Sequence, residues 1–133
     1  MFTIEQIHTA SKKAKSGADF PQLVQDLKAI GVHYYDNYVK DGLTKYYGKD
    51  KFVLNAGTKY PAITVKPNSS ADKLKHAISI HQLGQTDYPT FCMQAAEAGV
   101  EKWTTDMLEM TVTYLDIKGH KLIVEPIPQP KTE

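Results

Sequence analysis

Apolar residues recur at helical spacing in four stretches of the chain and alternate with polar ones in the segments between. The first stretch, Ile4, Ile7, Ala10 and Ala14, runs toward Gly17 behind Thr3-Ile4-Glu5-Gln6, a capping box for the free amides of a first turn. The second, Leu23, Val24, Leu27 and Ile30, starts at Asp19 as N-cap, with Pro21 in the first turn where a missing N–H costs nothing. The third opens at Ser70 and places Leu74, Ala77, Ile78 and His81 on one side, with Gly84 near its end. The fourth begins at the N-cap Asp87, has Pro89 in its first turn, and carries Phe91, Cys92, Ala95 and Ala98. Gly31 and Gly99 suit the left-handed residue that closes a helix, and Val32 and Val100 would fold back on Leu27 and Ala95.

Strand character follows each Gly-Val. Tyr34 to Val39 and Leu43 to Tyr47 predict a hairpin on a two-residue Asp41-Gly42 turn, with Lys40 opposite Leu43, Tyr38 opposite Lys45 and Asn37 opposite Tyr46. Phe52 to Leu54 and Ala62 to Val65 read as further short strands. Lys102 to Met107 and Met110 to Leu115 form a second hairpin around Leu108-Glu109, and a turn at Lys118-Gly119 leads to Leu122 to Glu125. Pro126-Ile127-Pro128-Gln129-Pro130 has too few amide donors to extend a ladder and predicts a mobile end.

The order helix, helix, strand meander therefore occurs twice. Asp19-Phe20-Pro21-Gln22-Leu23 reappears 68 residues on as Asp87-Tyr88-Pro89-Thr90-Phe91, and the same shift carries Gly31-Val32 onto Gly99-Val100, Tyr35 onto Trp103 and Tyr46 onto Tyr114. The fold class expected is α+β: an internal duplication of a helix-helix-meander unit, with an antiparallel sheet and its helices on one face. We expect a single domain over residues 1–133, repeat halves at about 1–66 and 67–125, and a Pro-rich tail at 126–133.

Along the hairpins, one face carries Tyr35, Val39, Thr44 and Tyr46, matched in the second half by Trp103, Met107, Val112 and Tyr114, which makes it the core side. The other face carries Tyr34, Asp36, Tyr38, Lys40, Lys45 and Tyr47, where the second half has Lys102, Thr104, Asp106, Thr111, Thr113 and Leu115. Five of the eight tyrosines lie between positions 34 and 47. Tyrosine is a good strand former that tolerates water, which explains the excess without function. The functional reading makes Tyr34, Tyr38, Lys40, Lys45 and Tyr47 a ligand-binding platform of the residue type that interfaces favour.

Composition narrows the partners. All 16 basic residues are Lys, and against 15 acids they leave a net charge of +1. With no Arg, bidentate reading of phosphate or guanine is lost, so nucleic acid is a disfavoured partner. The near-neutral total conceals 10 Lys against 6 acids in residues 1–66 (+4) and 6 Lys against 9 acids in 67–133 (−3), an asymmetry that favours docking of the halves or equally head-to-tail association, and a homodimer is an expected form. One cysteine precludes an internal disulfide, and no apolar run approaches a bilayer span of about 20 residues. The N-terminus has no basic, apolar leader, so we expect a cytoplasmic chain with no membrane partner.

Ser16-Gly17-Ala18-Asp19-Phe20-Pro21, Gly31-Val32-His33-Tyr34-Tyr35 and Asp41-Gly42 in the first half resemble a bacterial and prophage family of unknown function, often labelled "phage envelope protein". Thr86-Asp87-Tyr88-Pro89-Thr90-Phe91-Cys92, Gly99-Val100-Glu101-Lys102-Trp103 and Asp106-Met107 carry the likeness through the second half. The resemblance implies no activity, cofactor or catalytic residue.

No motif fills that gap. Cys92 beside His81 or His33 would make a nucleophile, but its place on an apolar stripe, matching Val24, favours an inert buried thiol. His76 and His81 are five residues apart and miss a shared helical face, and no metal or cofactor is expected. The two function classes left are a binding module for a protein or small molecule, using the tyrosine-bearing face or the seam between halves, and an enzyme with a His, Tyr and Asp site at that seam.

Overall fold

The structure, a computed structural model, describes residues 1–14 and 19–128. Helices α1 (Ile4–Lys13) and α2 (Phe20–Ala29) lead into strands β1 (Tyr34–Tyr38), β2 (Thr44–Tyr47) and β3 (Val53–Asn55). Helices α3 (Ala71–Gln82) and α4 (Tyr88–Glu97) then lead into β4 (Val100–Asp106), β5 (Thr111–Asp116) and β6 (Lys121–Pro126). All strand pairs are antiparallel, and the six form one sheet in the order β3-β2-β1-β4-β5-β6. The fold is α+β, and the two halves share one continuous sheet.

Local chemistry builds the helices largely as predicted. Thr3 and Gln6 form the capping box of α1, Ser70 accepts from the Lys73 amide and Asp87 from the Thr90 amide. Asp19 departs from expectation: its backbone is already helical (φ −88°, ψ −3°), where Asp87 stands extended before α4. The end of the first helical pattern at Gly17 lies outside the described residues. Gly31 (φ +106°) closes α2 with the Gly31 amide on the Lys28 carbonyl and the Val32 amide on the Leu27 carbonyl. Gly99 (φ +81°) closes α4 against the Ala96 carbonyl.

The second hairpin keeps its predicted register, with Asp106 opposite Thr111 and Thr105 opposite Val112. The first does not. Asn37 pairs with Thr44 and Tyr35 with Tyr46, a slip of two residues from the expected pairing, so each side chain stays on its predicted face. In place of a two-residue turn, residues 39–43 form a wider loop in which the Gly42 amide bonds the Tyr38 carbonyl and Asp41 Oδ1 accepts from Leu43 N. The loop is held open by a distant segment. Lys59 and Tyr60 amides donate to the Asp41 carbonyl, and the Ile63 amide donates to the Lys40 carbonyl at 2.7 Å. Those bonds also explain why residues 62–65 form no strand: the segment caps the loop, and Lys66 then bonds Ala96. Lys40 consequently sits in this loop, exposed, and not on the ladder.

Pro126 is another correction. It ends β6 opposite Thr111, and Ile127 is buried with its amide on the Met110 carbonyl, so the chain is tied down further than its prolines suggest. Residues 129–133 lie outside the described residues. Pro126 is tolerated because β6 is an edge strand with no ladder beyond it.

Inner-face Tyr35, Val39, Tyr46, Trp103, Met107, Val112 and Tyr114 form one core with Ile7, Val24, Leu27, Leu74, Ile78 and Phe91 from the helices. Phe91 meets Trp103 edge to face at 5.5 Å. Among the described residues, no helix lies over the other sheet face.

Gly99 and Gly119 separate two costs of a side chain. Both have left-handed φ (+81° and +83°), but a Cβ on Gly99 would lie 2.6 Å from the Ser69 Cα, whereas nothing lies within 4 Å at Gly119. In urea denaturation, Gly119→Ala is expected to cost about 1 kcal/mol from backbone strain, and Gly99→Ala about 3 kcal/mol or more. Equal losses would contradict the packing of residues 68–69 on the end of α4.

Candidate functional site

The uncovered face reads as transverse rows, because register partners share a face. One row is Val53, Tyr47, Tyr34, Asp106, Thr111 and Pro126; the next is Asn55, Lys45, Asp36, Thr104, Thr113 and Val124. Tyr38, Lys102 and Leu115 begin a third. Of the predicted platform residues, Tyr34, Tyr38, Lys45 and Tyr47 come together here, while Lys40 stands apart in its loop.

The centre of the group is a residue outside the predicted set. Asp36 is only 6% exposed although its face carries no helix. Its Oδ1 accepts from the Thr104 hydroxyl at 2.6 Å, and its Oδ2 lies 3.5 Å from Lys102 Nζ. The tyrosines wall it in. Tyr34 and Tyr47 stack with centroids 4.4 Å apart and planes 11° from parallel. Lys45 and Lys102 ammonium groups lie 5.7 and 5.5 Å from the Tyr38 ring centroid. Burial, and then the Asp36 charge, push the Tyr47 phenol up, so it remains a hydrogen-bond donor at neutral pH.

This geometry changes what the tyrosines offer. Two of the rings spend a face on each other, and the third interacts with two ammonium groups. Less open ring face is left than a base-stacking platform uses.

A second polar cluster lies beneath the inner face, where residues 59–60 meet α4. Lys59 Nζ donates to the Gly42 carbonyl at 3.0 Å and to Thr44 Oγ1, which donates on to Asn37 Oδ1. The Tyr60 hydroxyl donates to the Val39 carbonyl, and Tyr60 and Tyr88 are hydrogen-bond neighbours of Cys92. Burial lowers the Lys59 ammonium and raises the Cys92 thiol, which is 1% exposed. Such a thiol is protonated and shielded, and no histidine accompanies it. His81 instead stacks on Phe91 at 4.7 Å and places Nδ1 3.0 Å from the Thr86 carbonyl.

Asp116 joins a third group, accepting from Ser69 Oγ at 3.1 Å and lying 3.2 Å from His120 Nδ1. The carboxylate sits between the hydroxyl and the imidazole, so the histidine cannot relay a proton from Ser69. The group fastens a turn: Asp116 Oδ1 also takes the Lys118 and His120 amides. Among the described residues, no group of three or more His, Cys, Asp or Glu is placed to hold a metal ion. No described helix is long and apolar enough to cross a membrane.

A sequence model described as "Protein of unknown function (DUF1398)" matches residues 8–126. The chain belongs to the DUF1398 family. Similarity extends to the "Uncharacterized protein YcgX" of Escherichia coli (strain K12), 24% identical over 121 residues that make up 90% of each chain. Membership in DUF1398 thus fixes kinship across nearly the whole fold and leaves the site to be argued from its chemistry.

Two measurements check these assignments. In Ellman titration, Cys92 is expected to be silent in the native DUF1398 protein and to react fully in urea; fast native reaction would contradict its burial. Desolvation works to raise the Asp116 carboxyl, but hydrogen bonds from His120 and Ser69, with the His120 charge, outweigh it and hold the group below the ordinary Asp range. Its stabilisation is therefore present above about pH 4 and lost as pH falls through the depressed value. Asp116→Asn is expected to be destabilised most above pH 4, with the gap to the native protein closing in acid. A gap that widens in acid would contradict the assignment.

Proposed function

We propose that this DUF1398 protein is a binding module that docks a protein partner on the open face of its sheet. The observation that carries the reading is the cluster of Tyr34, Tyr38 and Tyr47 around the shielded Asp36, on a face that no described helix covers. Small-molecule sites are concave and mostly apolar. Two grooves of this chain lie elsewhere, between α1 and α2 and between α3 and α4, and both are wide open to solvent. An extended face rich in tyrosine, with lysines at its margin, suits a macromolecular surface better.

The rival, an enzyme with His, Tyr and Asp at the seam between halves, has less support. Tyr and Asp do meet across β1 and β4, but on the open sheet face, and His33 precedes β1 on the inner-face side of the alternation. A homodimer through the same face would appear in the cross-linking test as a Val53 adduct between two copies of this chain, and would overturn docking of a different protein.

We also infer that the two halves descend from one duplicated unit. An offset of 68 superposes α2 on α4 without a gap, and it is the offset between Asp36 and Thr104, which pair at the middle of the β1–β4 ladder. The grooves agree: Glu5, Thr9, Asp26 and Ala29 line one, and Lys73, Ala77, Gln94 and Glu97, at the same offset, line the other. Inner-face pairs keep their bulk, such as Tyr46 and Tyr114, whereas outer-face pairs diverge, such as Tyr47 and Leu115 or Lys45 and Thr113. Divergence concentrated on the open face supports a role there. Fragments 1–66 and 67–133, mixed, are expected to recover native-like circular dichroism; a mixture that stays unfolded counts against related, complementary units.

Docking is tested by a photo-reactive benzophenone side chain at Val53, beside Tyr47 on the open face, with Met93 on α4 as control. Both positions are exposed, 50% and 61%. The Val53 position is expected to give one discrete protein adduct in cells, and Met93 none. Equal labelling at both positions, or none at Val53, would overturn the proposal.

A further inference from the structure

We infer that the open face takes an acidic polypeptide segment, held by Lys45, Lys102 and the surrounding phenol hydroxyls. The inference rests on the docking reading and adds the chemistry of the partner. It follows from which polar groups on the face are already satisfied by the chain itself.

Both carboxylates of these rows accept hydrogen bonds within the chain, although Asp106 has no ion pair among the described residues. Asp36 is held by Thr104 and Lys102, and Asp106 Oδ1 accepts the Leu108 and Glu109 amides of its own turn. The ammonium donors are less fully engaged. Among the described residues the ion pairs are Lys102 with Asp36 and His120 with Asp116, so Lys45 has no carboxylate within 4.0 Å. Its ammonium rests over the Tyr38 ring, an interaction worth about 0.5–1 kcal/mol at an exposed site. Lys102 lies beside the same ring, with its ammonium 3.5 Å from one oxygen of a carboxylate and three N–H groups to offer. The remaining demand of the face is for acceptors with negative charge.

Two polyanions meet that demand, and the ring geometry chooses between them. A single-stranded nucleic acid gains much of its affinity by stacking bases on open aromatic faces. Here Tyr34 and Tyr47 stack on each other and Tyr38 meets two ammonium groups, so carboxylates on a polypeptide fit better. The net charge of +1 means that attraction of an anion must be local to be selective.

The test uses fluorescence anisotropy of the full chain with dye-labelled deca-glutamate, against deca-lysine and an oligothymidylate of ten nucleotides. Deca-glutamate is expected to bind in low salt, the oligonucleotide more weakly, and deca-lysine not at all. Lys45→Glu is expected to weaken deca-glutamate by about tenfold or more, whereas Lys75→Glu, the same charge change on the exposed side of α3, shifts it less than about twofold. Lys45→Gln, expected to lose several-fold, serves if charge reversal perturbs the fold by circular dichroism. No binding of deca-glutamate, equal losses from both reversals, or tighter binding of the oligonucleotide would each overturn the inference. A discrete cross-link from Val53 to a partner without an acidic stretch would overturn it and leave the docking reading standing; absence of any cross-link would remove both.

Discussion

The structure depends on the antiparallel ladder between β1 and β4, centred on the pair Asp36 and Thr104. Each half supplies two helices and three strands, and each alone is in the size range where a core is marginal. Joining β1 to β4 gives both a common sheet and lets Tyr35, Tyr46, Trp103 and Tyr114 pack as one core. The same ladder puts a carboxylate at the middle of the uncovered face. A nearly buried charge is costly unless it is paired and hydrogen-bonded. Thr104 and Lys102 arrive from the neighbouring strand to do this, and the tyrosines of the first half complete the shielding. The organisation of the face is a consequence of how the halves are joined.

The inner face meets a related constraint. Asn37, Thr44 and Thr105 are buried among aromatic side chains. Asn37 and Thr44 bond each other, and Lys59 reaches in from the segment after β3 to bond Thr44. That segment therefore acts as a strap: its amides fix the β1–β2 loop, Tyr60 bonds the Val39 carbonyl, and Lys66 ties it to α4. Gly42 permits the contact, since a Cβ there would lie 2.9 Å from both Lys59 and Tyr60 atoms. The concentration of polar bonds here serves closure of the core, and it accounts for Cys92 without chemistry.

What was legible in the chain follows the range of the forces involved. Caps at Thr3, Ser70 and Asp87, the Gly31 closure and the β4–β5 register depend on neighbours within a few residues, and the pattern of residues foretold them. The first hairpin sits two residues from the register its turn residues predict, because its loop is shaped by Lys59, Tyr60 and Ile63, far along the chain. Burial of Ile127 has the same origin: its partner, Met110, is remote in the chain. In the candidate site, alternation alone gathered Tyr34, Tyr38, Lys45 and Tyr47, since a slip of two preserves the face. Asp36 and Lys102 as its centre required knowing that β1 pairs with β4. One signal was available, the 68-residue offset that makes Asp36 and Thr104 counterparts.

Native-state hydrogen exchange tests most directly the claim that one ladder unites the halves and supports the face. The account predicts that the β1 and β4 amides of the shared ladder exchange only through global unfolding, with the same free energy as the core of α4. It also predicts that Asp36→Asn lowers protection in both halves together. Independent opening of the halves, with ladder amides exchanging faster than the β4–β5 hairpin, would contradict it.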